Sequence, residues 1–252
     1  MIKLAICGAG GRIGRTIYKS LVGNNDFKIE FGVDFCGAND LPFPVFKSFA
    51  EANGTCDVII DFSNASTLED ILSYALAKRA SVVLATTGHS EAQLAEIEQA
   101  SKKIAIFKAS NMSLGVNLIA SLAKKAAQIL GGGFDIEIIE KHHNQKLDAP
   151  SGTAIMLANA VNSVFDDKLN YEYDRHSVRR KRPKNEIGIH SVRGGTIVGE
   201  HDVLFAGHDE VVTISHSAQS KEVFAVGAVR AAKFLYGKKA GLYDMNNMMS
   251  FE

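Results

Sequence analysis

The sequence predicts an α/β protein with a doubly wound parallel sheet, followed by a smaller α+β domain with an open mixed sheet. In the first part of the chain, five short apolar runs alternate with helical patterns, which is typical of a parallel sheet covered by helices. After residue 186, three strand-like runs follow one another with only short turns between them. Such neighbours usually pair antiparallel, so we expect a second sheet of a different kind.

The composition indicates a globular protein of balanced charge. The chain has 252 residues, 46% of them hydrophobic, which is enough for a sizeable core. Lys plus Arg and Asp plus Glu both number 28, so we expect no general attraction to nucleic acid or to an anionic membrane. There is no apolar run of membrane-spanning length, and the N-terminus begins with a strand pattern instead of a signal peptide. Three cysteines without metal-type spacing favour free thiols in the cytoplasm.

A glycine-rich turn follows the first strand-like run. Residues 3–7 lead into Gly8-Ala9-Gly10-Gly11-Arg12-Ile13-Gly14, after which a helical pattern begins. Strand, glycine turn and helix together are typical of a Rossmann-like dinucleotide-binding fold. Gly8 would permit the tight turn, Gly10 or Gly11 would let the backbone approach a pyrophosphate, and Gly14 would let the helix pack on the sheet. The spacing departs from the strict Gly-x-Gly-x-x-Gly, and glycines also mark ordinary turns.

An acidic residue ends the second strand-like run, at residues 28–33. Asp34 lies 20 residues beyond Gly14, where an acid normally binds the adenosine ribose hydroxyls. The next residue is Phe35, whereas a chain built for a 2′-phosphate would tend to carry Arg or Lys there. We therefore favour NADH over NADPH, although Arg12 could still reach a 2′-phosphate. The alternative is that Asp34 is only a turn acid at the end of a strand.

Three further apolar runs complete the predicted parallel sheet, at residues 57–62, 81–85 and 104–107. One helix is predicted over residues 66–78, and another after the capping box formed by Ser90 and Gln93. Ligands of such sheets gather at the carboxyl ends of the strands. Besides the glycine turn and Asp34, the residues that fall at such ends are Ala85, Thr86, Thr87, Ala109, Ser110, Asn111 and Met112.

The densest group of ionisable residues lies between residues 137 and 154. A strand-like apolar run at residues 136–139 is followed by His142, His143, Lys146 and Asp148, and Pro150 then leads into a helical pattern over residues 151–165. A helix N-terminus favours a carboxylate or phosphate, so proton donors beside it suit the protonation of a small anionic substrate. The alternative is a polar surface loop with an ordinary serine cap.

This stretch, Glu-Ile-Ile-Glu-Lys-His-His-Asn-Gln-Lys-Leu-Asp-Ala-Pro-Ser-Gly-Thr-Ala, closely resembles the signature of the 4-hydroxy-tetrahydrodipicolinate reductases, the dihydrodipicolinate reductases of bacterial and plant lysine synthesis. Residues 193–201 and 241–245 resemble the same family. The resemblance implies NAD(P)H-dependent reduction of a cyclic imine dicarboxylate to tetrahydrodipicolinate in the diaminopimelate route to lysine. It also implies a homotetramer that packs through the open sheets. We expect a dinucleotide-binding domain over residues 1–113, a substrate-binding and oligomerisation domain over 114–220, and a return to the first domain over 221–252.

The resemblance also implies roles for single residues. His142 would be the proton donor and acceptor and Lys146 a second proton donor, while His143 and the backbone of Ser151, Gly152 and Thr153 would hold the substrate carboxylates. The cofactor would be held by Gly8, Ala9, Gly10, Gly11, Arg12, Ile13, Asp34 and the seven residues at the other strand ends. Ala85 and Met112 depart from the family pattern, which often has Gly and Phe at these places.

The sequence leaves alternative interpretations of one segment and of the function open. The basic segment of residues 175–184 lacks stacking aromatics and contains Pro183, so we expect a solvated loop with some attraction for an anionic substrate, not a nucleic-acid arm. The remaining histidines show no metal-ligand spacing, and we predict no metal. A different two-domain oxidoreductase acting on a sugar or amino acid, and a non-catalytic nucleotide sensor, are the competing functions.

Overall fold

The computed structural model describes residues 1–249 and divides the chain into two compact units. The first unit is Met1–Leu114 together with the chain from Glu222 onward, and the second is Gly115–Lys221. The strands are β1 (Ile2–Cys7), β2 (Phe27–Val33), β3 (Val45–Phe46), β4 (Val58–Asp61), β5 (Ser81–Leu84), β6 (Ala105–Lys108), β7 (Asp135–His142), β8 (Asn170–Glu172), β9 (Glu186–Arg193), β10 (Gly199–Ala206), β11 (Val211–Ala218) and β12 (Gly241–Tyr243). The α-helices are α1 (Arg12–Leu21), α2 (Leu68–Lys78), α3 (Glu91–Ser101), α4 (Leu114–Leu130), α5 (Gly152–Asn162), α6 (Glu222–Leu235) and α7 (Met245–Met249).

The first unit contains a seven-stranded parallel sheet in the order β12-β6-β5-β4-β1-β2-β3. This confirms the predicted doubly wound parallel sheet. The two edge strands, β3 and β12, were not predicted. They span two and three residues, which is too short for an apolar run to stand out from a loop.

Both faces of this sheet are covered, as the apolar strands require. Side chains of β1 alternate between two cores: Leu4 and Ile6 pack with residues of α1 and α6, and Ala5 and Cys7 pack with residues of α2 and α3. Helix α6 comes especially close to the chain after β6. A Cβ atom at Gly227 would lie 1.7 Å from the carbonyl oxygen of Met112, so only glycine fits there.

The second unit contains a five-stranded mixed sheet in the order β11-β10-β7-β9-β8. The mixed sheet is confirmed, and so is the antiparallel pairing of β10 with β11. The expected pairing of β9 with β10 is wrong, because β7 lies between them: β9 runs parallel to β7, and β10 runs antiparallel to it. The short connection from β9 to β10 passes the end of β7, where Gly194 N donates to His142 O at 2.9 Å.

Strand β7 is the centre of this sheet and is longer than predicted. It extends through His142, so the predicted proton donor is the last residue of a strand and not part of a following loop. Its even-numbered residues are buried, and Ile136 and Ile138 pack in a core with residues of α4 and α5. Because side chains alternate along a strand, Glu140 and His142 face the same way as these apolar residues.

Candidate active site

The glycine turn between β1 and α1 is built for a close backbone approach. Gly8 has φ +80°, and a Cβ atom there would lie 2.5 Å from the carbonyl oxygen of Phe62. A Cβ atom at Gly14 would lie 2.3 Å from the carbonyl oxygen of Gly8, so α1 packs directly on the turn. Gly11 caps α1 without a side-chain hydrogen bond, and the first turn has no acidic residue. The N-terminus of α1 therefore presents N–H groups and a positive dipole to an anion.

The acid at the end of β2 contacts this turn. The Asp34 carboxylate accepts hydrogen bonds from the N–H groups of Gly10 at 2.8 Å and Cys36 at 3.1 Å. The side chain of its neighbour, Phe35, is 86% exposed. Arg12 is also exposed, whereas Ile13 packs against the core. The predicted nucleotide residues of this region thus come together at one end of β1 and β2.

The carboxyl ends of β4 and β5 form a cavity of about 440 Å³. Its lining includes the predicted residues Ala85, Thr86 and Thr87, together with Phe62 and Ser63. Asp61, the last residue of β4, is a buried carboxyl that accepts a hydrogen bond from the N–H group of Ser63 in this lining at 3.0 Å, and sequence reasoning did not single it out. Burial raises the pKa of Asp61, although Ser63 and Thr86 donate hydrogen bonds to it. An acid at the end of an otherwise apolar strand was the only signal in the sequence.

The chain after β6 continues this end of the sheet. Ala109 N donates to the carbonyl oxygen of Leu84 at 3.2 Å, and the Asn111 side chain accepts a hydrogen bond from Ser113 N at 2.8 Å. Met112 is buried in the core of the first unit, while Ser110 is exposed. This segment is therefore fixed by its own backbone and by the close approach of α6 at Met112.

In the second unit, the predicted proton donor is held by a buried carboxylate. The Nδ1 atom of His142 lies 2.6 Å from Oε2 of Glu140, and the His142 side chain is 11% exposed. Its ring contacts the ring of His201 edge to face, with centroids 5.2 Å apart. A Cβ atom at Gly199 would lie 3.0 Å from Nε2 of His142, so the absence of a side chain at Gly199 keeps space at this nitrogen.

Glu140 is the centre of the hydrogen-bond network. Its side chain is fully buried and accepts two hydrogen bonds from Arg193, at 2.7 and 2.8 Å, and one from Ser151 N at 3.0 Å, in addition to that from His142. Burial alone would raise the pKa of Glu140, but the hydrogen bonds from Arg193 and His142 outweigh it and hold the pKa at about 2. The carboxylate is therefore ionised at neutral pH.

The pKa of His142 is lowered from its ordinary value. Burial is the main cause, the bond to Glu140 opposes it, and the charges of Lys146 and Arg193 add to the lowering. Lys146 is itself paired with Asp148 at 2.8 Å, and this hydrogen bond lowers the pKa of Asp148. These charges surround one imidazole, so a small change in their balance changes its protonation.

Helix α5 begins beside this network. Ser151 caps it by accepting a hydrogen bond from Ala154 N at 3.1 Å, and its Oγ atom lies 3.0 Å from Nε2 of His201. Its own N–H group donates to Glu140, so this predicted backbone donor is already occupied within the network. The first turn of α5 has no acidic residue, which suits an anion.

The basic segment is not the solvated loop that we expected. Arg182 is only 17% exposed in its side chain and binds Glu137 at 2.8 Å and Asp135 at 2.9 Å. Arg175 also binds Glu137, at 2.9 Å, and pairs with Glu186. Glutamates on β7 and β9 therefore fix the segment to the sheet, whereas its other basic side chains are exposed. The sequence did not reveal this, since two of the partners, Asp135 and Glu137, lie on β7, far from the segment in the chain.

The described residues 1–249 contain no group of three or more His, Cys, Asp or Glu that could hold a metal ion. Within the same range, no helix is both long and apolar enough to cross a membrane.

Comparison with known proteins decides the family. Residues 2–112 match the family described as dihydrodipicolinate reductase, N-terminus, and residues 115–249 match dihydrodipicolinate reductase, C-terminus. The chain belongs to the dihydrodipicolinate reductase family. It is 52% identical to the 4-hydroxy-tetrahydrodipicolinate reductase of Caldanaerobacter subterraneus subsp. tengcongensis, over 99% of this chain and 98% of the relative. The enzyme of the same name from Clostridium tetani is 48% identical over the same shares.

A solved dihydrodipicolinate reductase has the same fold. The dipicolinate-bound enzyme from Paenisporosarcina sp. TG-14 has a TM-score of 0.82 and 25% identity, covering 99% of this chain and all of the other. Membership of the dihydrodipicolinate reductase family confirms the predicted reductase and its requirement for a nicotinamide cofactor. In the hydrogen-bond network of the second unit, sequence reasoning missed three residues: Glu140, Arg193 and His201. All three lie in the stretches that carried the resemblance, which was the only signal for them.

Proposed function

We propose that His142, Lys146 and the N-terminus of α5 protonate and hold the substrate in the reaction of this family, the NAD(P)H-dependent reduction of the cyclic imine dicarboxylate formed from 4-hydroxy-tetrahydrodipicolinate to tetrahydrodipicolinate. The observation that carries the proposal is the buried Glu140–His142 pair beside a helix N-terminus without an acidic residue. A proton donor and an anion site on one rigid unit are what the reduction of an anionic imine requires.

The glycine turn fits a nicotinamide dinucleotide. A Cβ atom at Gly8 would meet the carbonyl oxygen of Phe62, and one at Gly14 would meet that of Gly8, so glycine at both positions lets α1 pack on the turn and present its N-terminus there. When bound, the reduced nicotinamide supplies the hydride. In our proposal, the chain's own residues do the remaining work: Gly152, Thr153 and His143 hold the carboxylates, and His142 delivers the proton that quenches the developing charge. Lys146 adds a positive charge and a second proton donor.

We favour NADH as the cofactor. The Asp34 carboxylate beside Gly10 suits ribose hydroxyls and repels a 2′-phosphate, and the adjacent exposed side chain, Phe35, offers no positive charge to such a phosphate. We also propose a cytoplasmic homotetramer. The three thiols are free, which suits a reducing compartment, and the second sheet carries exposed apolar side chains at Val192 and Val211 that a partner subunit could cover.

Replacement of His142 tests the proposal. With the synthase product supplied in situ and cofactor oxidation followed, we expect His142→Ala to lower kcat by about 10²–10⁴-fold, the usual loss for a general acid. The affinity for cofactor should be nearly unchanged. His190→Ala is the matched control, since His190 also pairs with a glutamate of β7, Glu137, at 2.7 Å, but on the other face of the sheet. An unchanged kcat in His142→Ala would remove this residue from its proposed role.

Binding of an inert ligand tests the substrate class. Pyridine-2,6-dicarboxylate resembles the planar dicarboxylate substrate, and we expect it to compete with substrate and not with NADH. Failure to compete would favour an oxidoreductase for another substrate, and tight cofactor binding without turnover would favour a nucleotide sensor.

A further inference from the structure

We propose that Glu140 is a positioning residue for the reaction: clamped by Arg193, it fixes His142 in the tautomer with hydrogen on Nδ1 and so leaves Nε2 as the nitrogen that exchanges the proton with the substrate. The inference rests on the proposed role of His142. It concerns residues of the second unit alone, all of which are held by β7, its two neighbouring strands and α5.

The geometry allows one direction for the hydrogen bond between the pair. Glu140 is ionised and so can only accept hydrogen bonds. The 2.6 Å contact from its Oε2 atom to Nδ1 of His142 therefore requires a hydrogen on Nδ1 in both protonation states of the ring. In the neutral ring, Nε2 is then the unprotonated nitrogen, and it makes no hydrogen bond with any of the described residues.

Arg193 and Ser151 hold the carboxylate itself in place. The Nη2 atom of Arg193 and the N–H group of Ser151 donate to Oε1, while Nη1 of Arg193 donates to Oε2, the oxygen that also binds His142. Arg193 further donates from Nη2 to the carbonyl oxygen of Asp148 at 2.6 Å, which ties the clamp to the loop that carries Lys146. One carboxylate thus links the proton donor to the start of α5, where the substrate carboxylate is proposed to bind.

The surrounding charges determine how Glu140 affects the proton affinity of His142. Arg193 on β9 and Lys146 in the loop are cationic and oppose protonation of the ring, whereas Glu140 favours it. His201 on β10 adds a further positive charge only when it is protonated, and Asp148 is paired with Lys146. His216 on β11 is the cross-strand partner of His201, and its positive charge when protonated opposes protonation of His201. Glu140 is thus the negative charge bonded directly to the imidazole, and its removal makes protonation of His142 harder.

Glu140→Gln is the informative change because it keeps the shape and removes the charge. A Gln side chain has one oxygen and one NH₂ group where Glu140 has two acceptors. In either orientation the NH₂ group meets one donor of Arg193, so the other contacts decide the orientation. If the NH₂ group faced Ser151, it would also meet a backbone N–H that cannot change. The arrangement with fewer conflicts turns NH₂ toward Nδ1 of His142, and the ring must then move its hydrogen to Nε2. In the variant, the neutral His142 ring should therefore present a protonated Nε2 to the substrate, whereas the wild-type neutral ring presents an unprotonated Nε2.

The experiment combines ¹⁵N magic-angle-spinning NMR of histidine-labelled full-length protein with the pH profile of turnover. The His142 signal is assigned from its loss in His142→Ala. Above the pKa of His142, we expect Nδ1 to be protonated in the wild type and Nε2 in Glu140→Gln. We expect kcat to fall by about 10–100-fold, the usual loss when a hydrogen-bond partner that orients a functional histidine is changed. The pH at which activity falls on the alkaline side should move to a lower value.

Glu137→Gln is the matched control. Glu137 lies on the same strand, binds Arg175, Arg182 and a histidine in the same manner, and faces the opposite side of the sheet. Its substitution should leave the His142 tautomer, the pH profile and kcat unchanged. Thermal unfolding of both variants shows whether each one folds, and if Glu140→Gln does not fold, the wild-type spectrum alone decides whether Nδ1 carries the hydrogen.

Failure of this inference is distinguishable from failure of the proposed function. If the wild-type ring carries its hydrogen on Nε2, or if Glu140→Gln keeps both the wild-type tautomer and the wild-type pH profile, Glu140 does not position His142. His142 would still stand as proton donor if His142→Ala lost activity. If His142→Ala retained full activity, the proposed function would fail whatever the tautomer.

Discussion

Acid should weaken the fold through one buried imidazole. His201 on β10 is almost inaccessible to solvent, and its Nδ1 atom has no hydrogen-bond partner among the described residues. Burial, reinforced by the positive charge of His142 when that ring is protonated, lowers the pKa of His201 from 6.5 to about 4. Because the folded-state pKa is depressed, folding favours the neutral ring. The stabilisation is complete above about pH 6.5 and is lost as the pH falls towards 4.

The magnitude follows from the two pKa values. One pKa unit corresponds to about 1.4 kcal/mol, so the free energy of unfolding should fall by about 3 kcal/mol over this window because of His201 alone. Glu140 contributes in a separate and more acidic window. Its folded-state pKa is also depressed, to about 2, so its stabilisation is lost only as the pH falls from about 4.5 towards 2.

His201→Gln isolates the effect, since Gln can still donate a hydrogen bond to Ser151 but does not titrate. Urea unfolding followed by circular dichroism at several pH values between 7 and 4 measures how the free energy of unfolding depends on pH. Between these two pH values, the free energy of unfolding should decrease by about 3 kcal/mol less in the variant than in the wild type. His208→Gln is the matched control, at a side chain that is 97% exposed. An identical slope in wild type and His201→Gln would show that His201 does not remain neutral through this range, and the reasoning would be refuted.

Two further predictions concern the cofactor end of the first unit. Gly14→Ala places a Cβ atom 2.3 Å from a backbone oxygen of the glycine turn, so we expect a loss of about 1–3 kcal/mol in the free energy of unfolding and weaker NADH binding, measured by thermal unfolding and by fluorescence titration. Phe35→Arg supplies a charge beside Asp34 that can bind a 2′-phosphate, and the ratio of kcat/KM for NADPH to that for NADH should rise by about 10–100-fold. An unchanged ratio would show that the adenosine lies elsewhere.

The parallel sheet could be predicted because its signals are local. Each central strand is an apolar run bounded by turns, and each helix has its own periodicity. Pairing in the second sheet is not local. The connection between β9 and β10 is short enough to suggest a hairpin, yet β7 lies between them, and all three strands contribute buried residues to the same core. No pattern within β9 or β10 contains that information.

The site could be predicted in part for the same reason. His142 and Lys146 stood out because ionisable residues are dense in one stretch of chain, and the glycine turn stood out because the spacing is local. Arg193 is 53 residues from its partner Glu140, and they meet only because β7 and β9 pair in a particular register. Had the strand been extended by three residues in the sequence-based prediction, period-two alternation would have placed Glu140 on the face of His142.

Strand register therefore connects the stability of the second unit to its chemistry. Glu140 and His142 come from β7, Arg193 comes from β9, and His201 comes from β10, so each of the three central strands supplies one side of the network. A shift of β7 by one residue would turn both Glu140 and His142 to the opposite face and would expose Ile136 and Ile138 at the same time. The apolar core that fixes the register of β7 thus also fixes the 2.6 Å contact between the Glu140 carboxylate and the His142 imidazole. A change of register would disrupt the core and this contact together.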